Sequence, residues 1–219
     1  MTAPTPPTGS RFTSTVFTAG LLLAGIVASW WVIEILDTYL LNDRLQRNGI
    51  VPRRRDGFDG ILWAPFLHSD FGHLISNTFP FLILSGLVMI RGLRRWIFVT
   101  IIAVLGGGLL TWLFAEGNNH IGASGVVFAY FGALFGAAFF ERRPAAFAPA
   151  IVAMVLYTTT VVVGLVPQEG ISWEGHLAGF VSGIAASKLL AGPRKTRPDP
   201  DADITRYFGD DEPWLGTNS

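Results

Sequence analysis

The chain has 219 residues, 50% of them hydrophobic and only 15% charged, and its mean hydropathy of +0.44 implies more apolar surface than a water-soluble domain of this size can bury. Sixteen basic residues balance sixteen acidic ones, so no global charge favours a nucleic-acid partner. There is no cysteine, which excludes disulfides, thiolate metal sites and cysteine nucleophiles.

Residues 1–15 read as an N-terminal tail, in which MTAPTPPTGS has no basic cluster. Six stretches then approach the length of about 20 apolar residues needed to cross a bilayer. They are 16–36, 72–90, 96–114, 123–140, 145–166 and 173–190. The first is too long for a typical signal-peptide core and is expected to be a retained anchor. The third, fourth and sixth carry small residues throughout, as closely packed membrane helices do. Residues 192–219 are Pro-rich and charged, which predicts a disordered tail. The expected fold is therefore an all-α membrane protein, with a six-helix domain over 16–191 between two tails.

The loop at 37–71 is long, and its LNDRLQRNGIVPRRRDGFDGILW mixes apolar and charged residues. That mixture suits a partly helical segment lying at the membrane interface. Its Arg53–Arg55 run reads as a solvated or lipid-phosphate-facing patch. With the N-terminus in the cytoplasm, eleven of the sixteen basic residues fall on the inner side. The five on the outer side all lie in this first loop. The positive-inside rule thus predicts a multi-pass cell-membrane protein with both termini cytoplasmic.

In that topology the second, fourth and sixth helices begin at the outer face. His73 and Asn77 open the second, Ser124 the fourth and His176 the sixth, all within about 10 Å of that face at 1.5 Å per residue. Polar groups at membrane depth are costly and call for partners or a function. A serine nucleophile needs a base to take its proton and donors for the oxyanion. His176 can be the base. His73, Asn77 and the free amides of the fourth helix's first turn can be the donors.

Three fragments, in this order and at these helix positions, resemble the rhomboid family of intramembrane serine proteases. They are HSDFGHLISN at 68–77 with its H-x-x-x-N pair, GASG at 122–125, and GHLAGFVSG at 175–183, a histidine followed by G-x-x-x-G. The resemblance covers 66–183 and implies a rhomboid-like six-helix bundle. It implies Ser124 as nucleophile and His176 as base, a dyad with no aspartate, and an oxyanion hole formed by His73, Asn77 and the Ser124 backbone amide. Gly122 and Gly125 belong to the serine motif. Gly179 and Gly183 would let the sixth helix approach the fourth. The residues agree: no carboxylate lies within 123–140, and Glu174 sits only two positions from His176, pointing elsewhere on a helix.

Two positions depart from the family pattern. Trp63 is followed by Ala64 where the family often has arginine. Four residues after the serine stands Phe128, where the family often has a tyrosine stacked on the base. A phenyl ring keeps the stacking and loses the hydroxyl.

Taken singly, the residues have plainer readings. Ser124 could be a small packing residue between glycines, His176 an interfacial polar group, and His73 and Asn77 a tie between helix and loop. His68 and His120 read as structural hydrogen-bonding residues. Trp30, Trp31, Trp96, Trp112 and Trp173 read as packing or belt residues. No H-E-x-x-H zinc motif occurs, and no membrane-embedded aspartate pair.

The expected function is a serine endopeptidase that cleaves a single-pass transmembrane protein near the outer face, with membrane lipid as its other partner and no metal or organic cofactor. An inactive relative that binds transmembrane clients is the alternative. A transporter would need a polar path across the whole bilayer, whereas the inner part of the fourth run, FAYFGALFGAAFF, is apolar.

Overall fold

A computed structural model of the protein describes residues 8–117, 119–168 and 170–192, with side chains from residue 17 onward. The expected tail at 192–219 lies outside the described residues apart from Gly192, as do residues 1–7 of the N-terminal one. Among the described residues the chain is all-helical, and its extended pairing is a single antiparallel bridge between Ile50 and His120.

Helix α1, Thr8–Leu36, starts inside the expected N-terminal tail and runs on through a π-helical turn, Asp37–Leu41. Asn42 stops it in the left-handed conformation at φ 51°. The buried Asp37 carboxylate accepts the amides of Leu45 at 2.8 Å and Gln46 at 3.3 Å, which turns the chain into the first loop.

That loop is a string of short helical pieces, including α2, Gly60–Trp63. Phe58, Leu62 and Trp63 are each more than half exposed, as expected for a segment that lays apolar side chains into an interface. Arg53 is not part of a free basic patch. Its guanidinium donates to the carbonyls of Leu113 and Ala115, and Trp112 Nε1 donates to the Arg54 carbonyl. A helix ends with carbonyls that lack partners, and Arg53 supplies them with donors from a distant segment.

Helix α3, Phe71–Met89, is capped by Asp70, whose carboxylate accepts the His73 amide at 2.9 Å. The expected third run is α4, Leu93–Ile101, a π-helical stretch, Ile102–Gly107, and α5, Gly108–Phe114, in unbroken succession. Then follow α6, Ser124–Glu141, α7, Pro144–Gly164, and α8, Trp173–Ala191.

Five of these stretches are long and apolar enough to cross a membrane, Phe17–Leu41, Phe71–Met89, Leu93–Phe114, Ser124–Glu141 and Pro144–Gly164. The protein is a multi-pass membrane protein. The expected sixth run is helical throughout and spans about 28 Å, but Glu174, His176, Ser182, Ser187 and Lys188 make α8 less apolar. Its buried face consists of small residues, among them Ala178, Gly179, Gly183 and Ala186.

That face packs on α6, the most deeply buried of the spanning helices. A Cβ at Gly179 would fall on the Gly125 carbonyl oxygen, and one at Gly183 on that of Ala129. From the other side, a Cβ at Gly132 would fall on the Phe180 carbonyl. Lipid removes most of the hydrophobic incentive for helices to associate, so close van der Waals packing has to hold the pair. At the far end of the bundle Glu141 accepts from Arg91 at 2.7 Å and Arg95 at 2.6 Å, which ties the start of α4 to the end of α6.

Candidate active site

Ser124 is the first residue of α6, so its amide has no intrahelical acceptor. The turn before it requires glycine twice over. Gly122 has φ +110°, and a Cβ there would lie 2.6 Å from His73 Nε2. The Gly122 amide donates to the Ala64 carbonyl at 2.9 Å. Thus Ala64, which departs from the family pattern, anchors the serine's turn to the first loop through its backbone.

The close approach of α8 brings His176 Nε2 to 2.8 Å from Ser124 Oγ, across 52 residues of sequence. His176 Nδ1 lies 2.8 Å from the carbonyl oxygen of Gly164, at the end of α7. A carbonyl only accepts, so Nδ1 carries the proton, and Nε2 presents its lone pair to the serine hydroxyl. Phe128, one turn along α6, stacks on the imidazole with ring centroids 4.2 Å apart and planes 9° from parallel. The stack expected of the phenyl ring is present.

Among the described residues no carboxylate serves as a third member. Glu174 Oε1 instead accepts the Glu116 amide at 3.3 Å. The orienting group is the Gly164 carbonyl, which sequence reading missed. A Cβ at Gly164 would meet Phe128 Cζ at 2.5 Å and His176 Nδ1 at 3.1 Å, so the approach requires glycine. Its one legible trace is that 144–164 holds no other glycine.

His73 and Asn77 stand one turn apart on α3. The Asn77 side-chain amide is buried and donates one hydrogen to the His73 carbonyl at 2.9 Å, which leaves a second N–H. Ser69 Oγ donates to Asp70 at 2.9 Å and lies 3.2 Å from His73 Nδ1. His73, Asn77, Ser124, Phe128 and His176 all line one cavity of about 1250 Å³. The structure therefore gathers the sequence-predicted residues at one end of the bundle.

The two remaining histidines behave differently. His120 is held as expected: its ring nitrogens lie 2.5 Å from Ser172 Oγ and 2.7 Å from the Glu116 carbonyl, which joins the turns leading into α6 and α8. Burial lowers its pKa, against the opposing pull of the Glu116 carbonyl and Glu174. His68 was expected to make structural hydrogen bonds, and among the described residues its ring makes none. It is fully buried, with its ring centroid 5.6 Å from Trp30 and 5.2 Å from His73. Burial, then the neighbouring His73, pushes its pKa down to about 3 despite Asp70, so it is held as a neutral packing element.

A family model described as "Rhomboid domain" matches residues 56–193. The chain is 35% identical over 212 residues to Uncharacterized protein Rv1337 of Mycobacterium tuberculosis, covering 88% of each chain. It is 36% identical over 210 residues to Uncharacterized protein ML1171 of Mycobacterium leprae, covering 90% of this chain and 80% of that one. With RHOMBOID-like protein 4 of Arabidopsis thaliana it shares 28% identity over 132 residues, 59% of this chain and 33% of the relative.

Proposed function

The chain belongs to the rhomboid family, and on that premise we propose that it is an intramembrane serine endopeptidase acting on single-pass transmembrane proteins. The observation that carries this reading is the 2.8 Å approach of His176 Nε2 to Ser124 Oγ in the tautomer able to take the proton. Ser124 Oγ attacks the scissile carbonyl as His176 Nε2 accepts its proton. The tetrahedral oxyanion turns toward His73, the free N–H of Asn77 and the Ser124 amide. His176 then protonates the leaving amine, which departs as the C–N bond breaks. Water entering the cavity repeats the sequence on the acyl-enzyme and frees Ser124. The reaction requires no metal or organic cofactor.

The cut falls near the outer membrane face, because the positive-inside arrangement puts both termini in the cytoplasm and the site at the opposite side. A helix offers no accessible carbonyl, since its backbone hydrogen bonds are closed. Substrates should therefore contain Gly, Pro or polar residues that let a segment unwind. The family resemblance adds a small residue before the cut.

Reconstitution in vesicles with a model transmembrane substrate tests the reading. Ser124→Ala and His176→Ala should each abolish cleavage, and a fluorophosphonate should label wild type but not Ser124→Ala. Cleavage persisting in either variant sinks the dyad. Failure of wild type to label turns the assignment to the client-binding alternative.

A further inference from the structure

A second serine–histidine pair lies beside Ser124 and His176, with the two residue types exchanged. Four residues before Ser124 stands His120, and four before His176 stands Ser172. His120 Nδ1 lies 2.5 Å from Ser172 Oγ, and this pair spans the same 52 residues of sequence as the dyad. All four residues line one cavity. The Glu116 carbonyl, 2.7 Å from His120 Nε2, can only accept, so Nε2 carries the ring proton and Nδ1 accepts from the Ser172 hydroxyl. That hydroxyl therefore does not cap α8, whereas the Ser172 carbonyl accepts the His176 amide at 3.1 Å. Moving Ser172 thus moves the turn that carries the imidazole.

The histidine side of the pair is itself anchored. The His120 main chain exchanges two hydrogen bonds of 2.9 Å with Ile50, and the Asn119 side-chain amide donates to the Gln46 carbonyl at 2.6 Å. Glu116 adds a second thread to α8, since its amide donates to Glu174 Oε1 at 3.3 Å. By contrast, the close glycine contacts, Gly179 on the Gly125 carbonyl and Gly183 on that of Ala129, lie deeper in the bundle than the dyad. On the other side of the dyad α6 has ended, because Ser124 is its first residue, and helix packing cannot continue there. Helices joined on one side of a reacting pair can still splay on the other, and a misplacement of about 1 Å can cost about 10²-fold in rate. We propose that His120 and Ser172 are positioning residues, a second serine–histidine pair that ties the turn before α6 to the start of α8 and so sets the separation of Ser124 and His176. The role rests on the endopeptidase reading and deepens it: the dyad is bracketed by glycine packing below and a side-chain hydrogen bond above.

Two amide substitutions divide the histidine's bonds between them. His120→Gln keeps a donor for the Glu116 carbonyl and loses the acceptor for Ser172, whereas His120→Asn places an amide oxygen where Nδ1 stands and keeps the Ser172 bond. In full-length protein in vesicles, fluorophosphonate labelling of Ser124 should slow about 10- to 100-fold in His120→Gln and in Ser172→Ala. The double variant should be no slower than either single one, because both remove the same bond. His120→Asn should label at close to the wild-type rate, which separates positioning from general damage to the fold. Since the chain has no cysteine, nitroxides placed at Glu116→Cys and Ile171→Cys, both exposed positions, report the spacing of the two turns by electron paramagnetic resonance. Their distance distribution should broaden with His120→Gln or Ser172→Ala and stay narrow with His120→Asn. Wild-type labelling in His120→Gln or Ser172→Ala, equal slowing in His120→Asn, or an unchanged distance distribution overturns the positioning role. Absence of wild-type labelling overturns the endopeptidase reading instead, and the nitroxide distances still decide whether the pair holds the two turns together.

Discussion

The imidazole of His176 and the carbonyl of Gly164 meet at 2.8 Å, so a main-chain oxygen on α7 orients the group that faces Ser124. A backbone acceptor is held by its helix and cannot rotate away. The arrangement lasts only while residue 164 carries no side chain, because an added methyl would press on both Phe128 and the ring it orients. Gly164→Ala is therefore expected to lower kcat about 100-fold, the scale of a misplaced catalytic group, with KM little changed. Turnover of a reconstituted transmembrane substrate measures it, and an unchanged kcat would show that the imidazole does not depend on this contact.

The oxyanion assignments make a separate prediction. Replacing His73 or Asn77 by alanine should each reduce kcat about 10²–10³-fold, as for removal of one oxyanion donor. Binding of uncleaved substrate should be retained. Single-turnover rates at saturating substrate give the answer, and a wild-type rate in either variant removes that side chain from the oxyanion site.

The contact of α6 with α8 carries both stability and geometry. Gly183→Ala drives a methyl onto the Ala129 carbonyl oxygen. Overpacking of this kind costs about 1–3 kcal/mol. Because the helices must part, His176 and Ser124 part with them, and activity should fall together with thermal stability in detergent. Gly86→Ala on α3 is the control: a Cβ there meets nothing within 4 Å. It should be neutral or mildly stabilising through helix propensity.

His68 predicts a pH dependence whose sign follows from its lowered pKa. The folded protein holds the ring neutral down to about 3, against an ordinary value of 6.5. Between those values the unfolded chain binds a proton that the folded one refuses, so this residue destabilises the fold as pH falls through that window. The slope approaches about 1.4 kcal/mol per pH unit where the unfolded ring is fully protonated and the folded one is not. Thermal unfolding in detergent from pH 7 to pH 4 should show this loss, and His68→Phe should reduce it. Equal slopes in the two proteins would mean that His68 takes up its proton while folded.

The element positions were legible because a helix in lipid must be apolar along its whole length. The expected runs at 72–90 and 123–140 lie within one residue of Phe71–Met89 and Ser124–Glu141 at each end. Ser124, His176, His73 and Asn77 were legible for the converse reason: polar side chains entering apolar runs stand out, and the glycines beside them fit a known spacing. The role of Arg53 was not legible, since the carbonyls it caps lie 60 and 62 residues away. Nor was the isolation of His68, because a histidine in a polar loop gives no sign that its neighbours will be Trp30 and another imidazole.

By itself the sequence determined which segments are long and apolar enough to cross a membrane and which side chains could carry the chemistry, because hydropathy and residue type are properties of the chain taken locally. Only the tertiary structure decided that Ser124 and His176 lie within hydrogen-bonding distance and that Gly164 supplies the orienting acceptor. Those separations depend on how closely glycine-faced helices far apart in the chain can pack, and a backbone carbonyl, present in every residue, has no signature until the fold aims it.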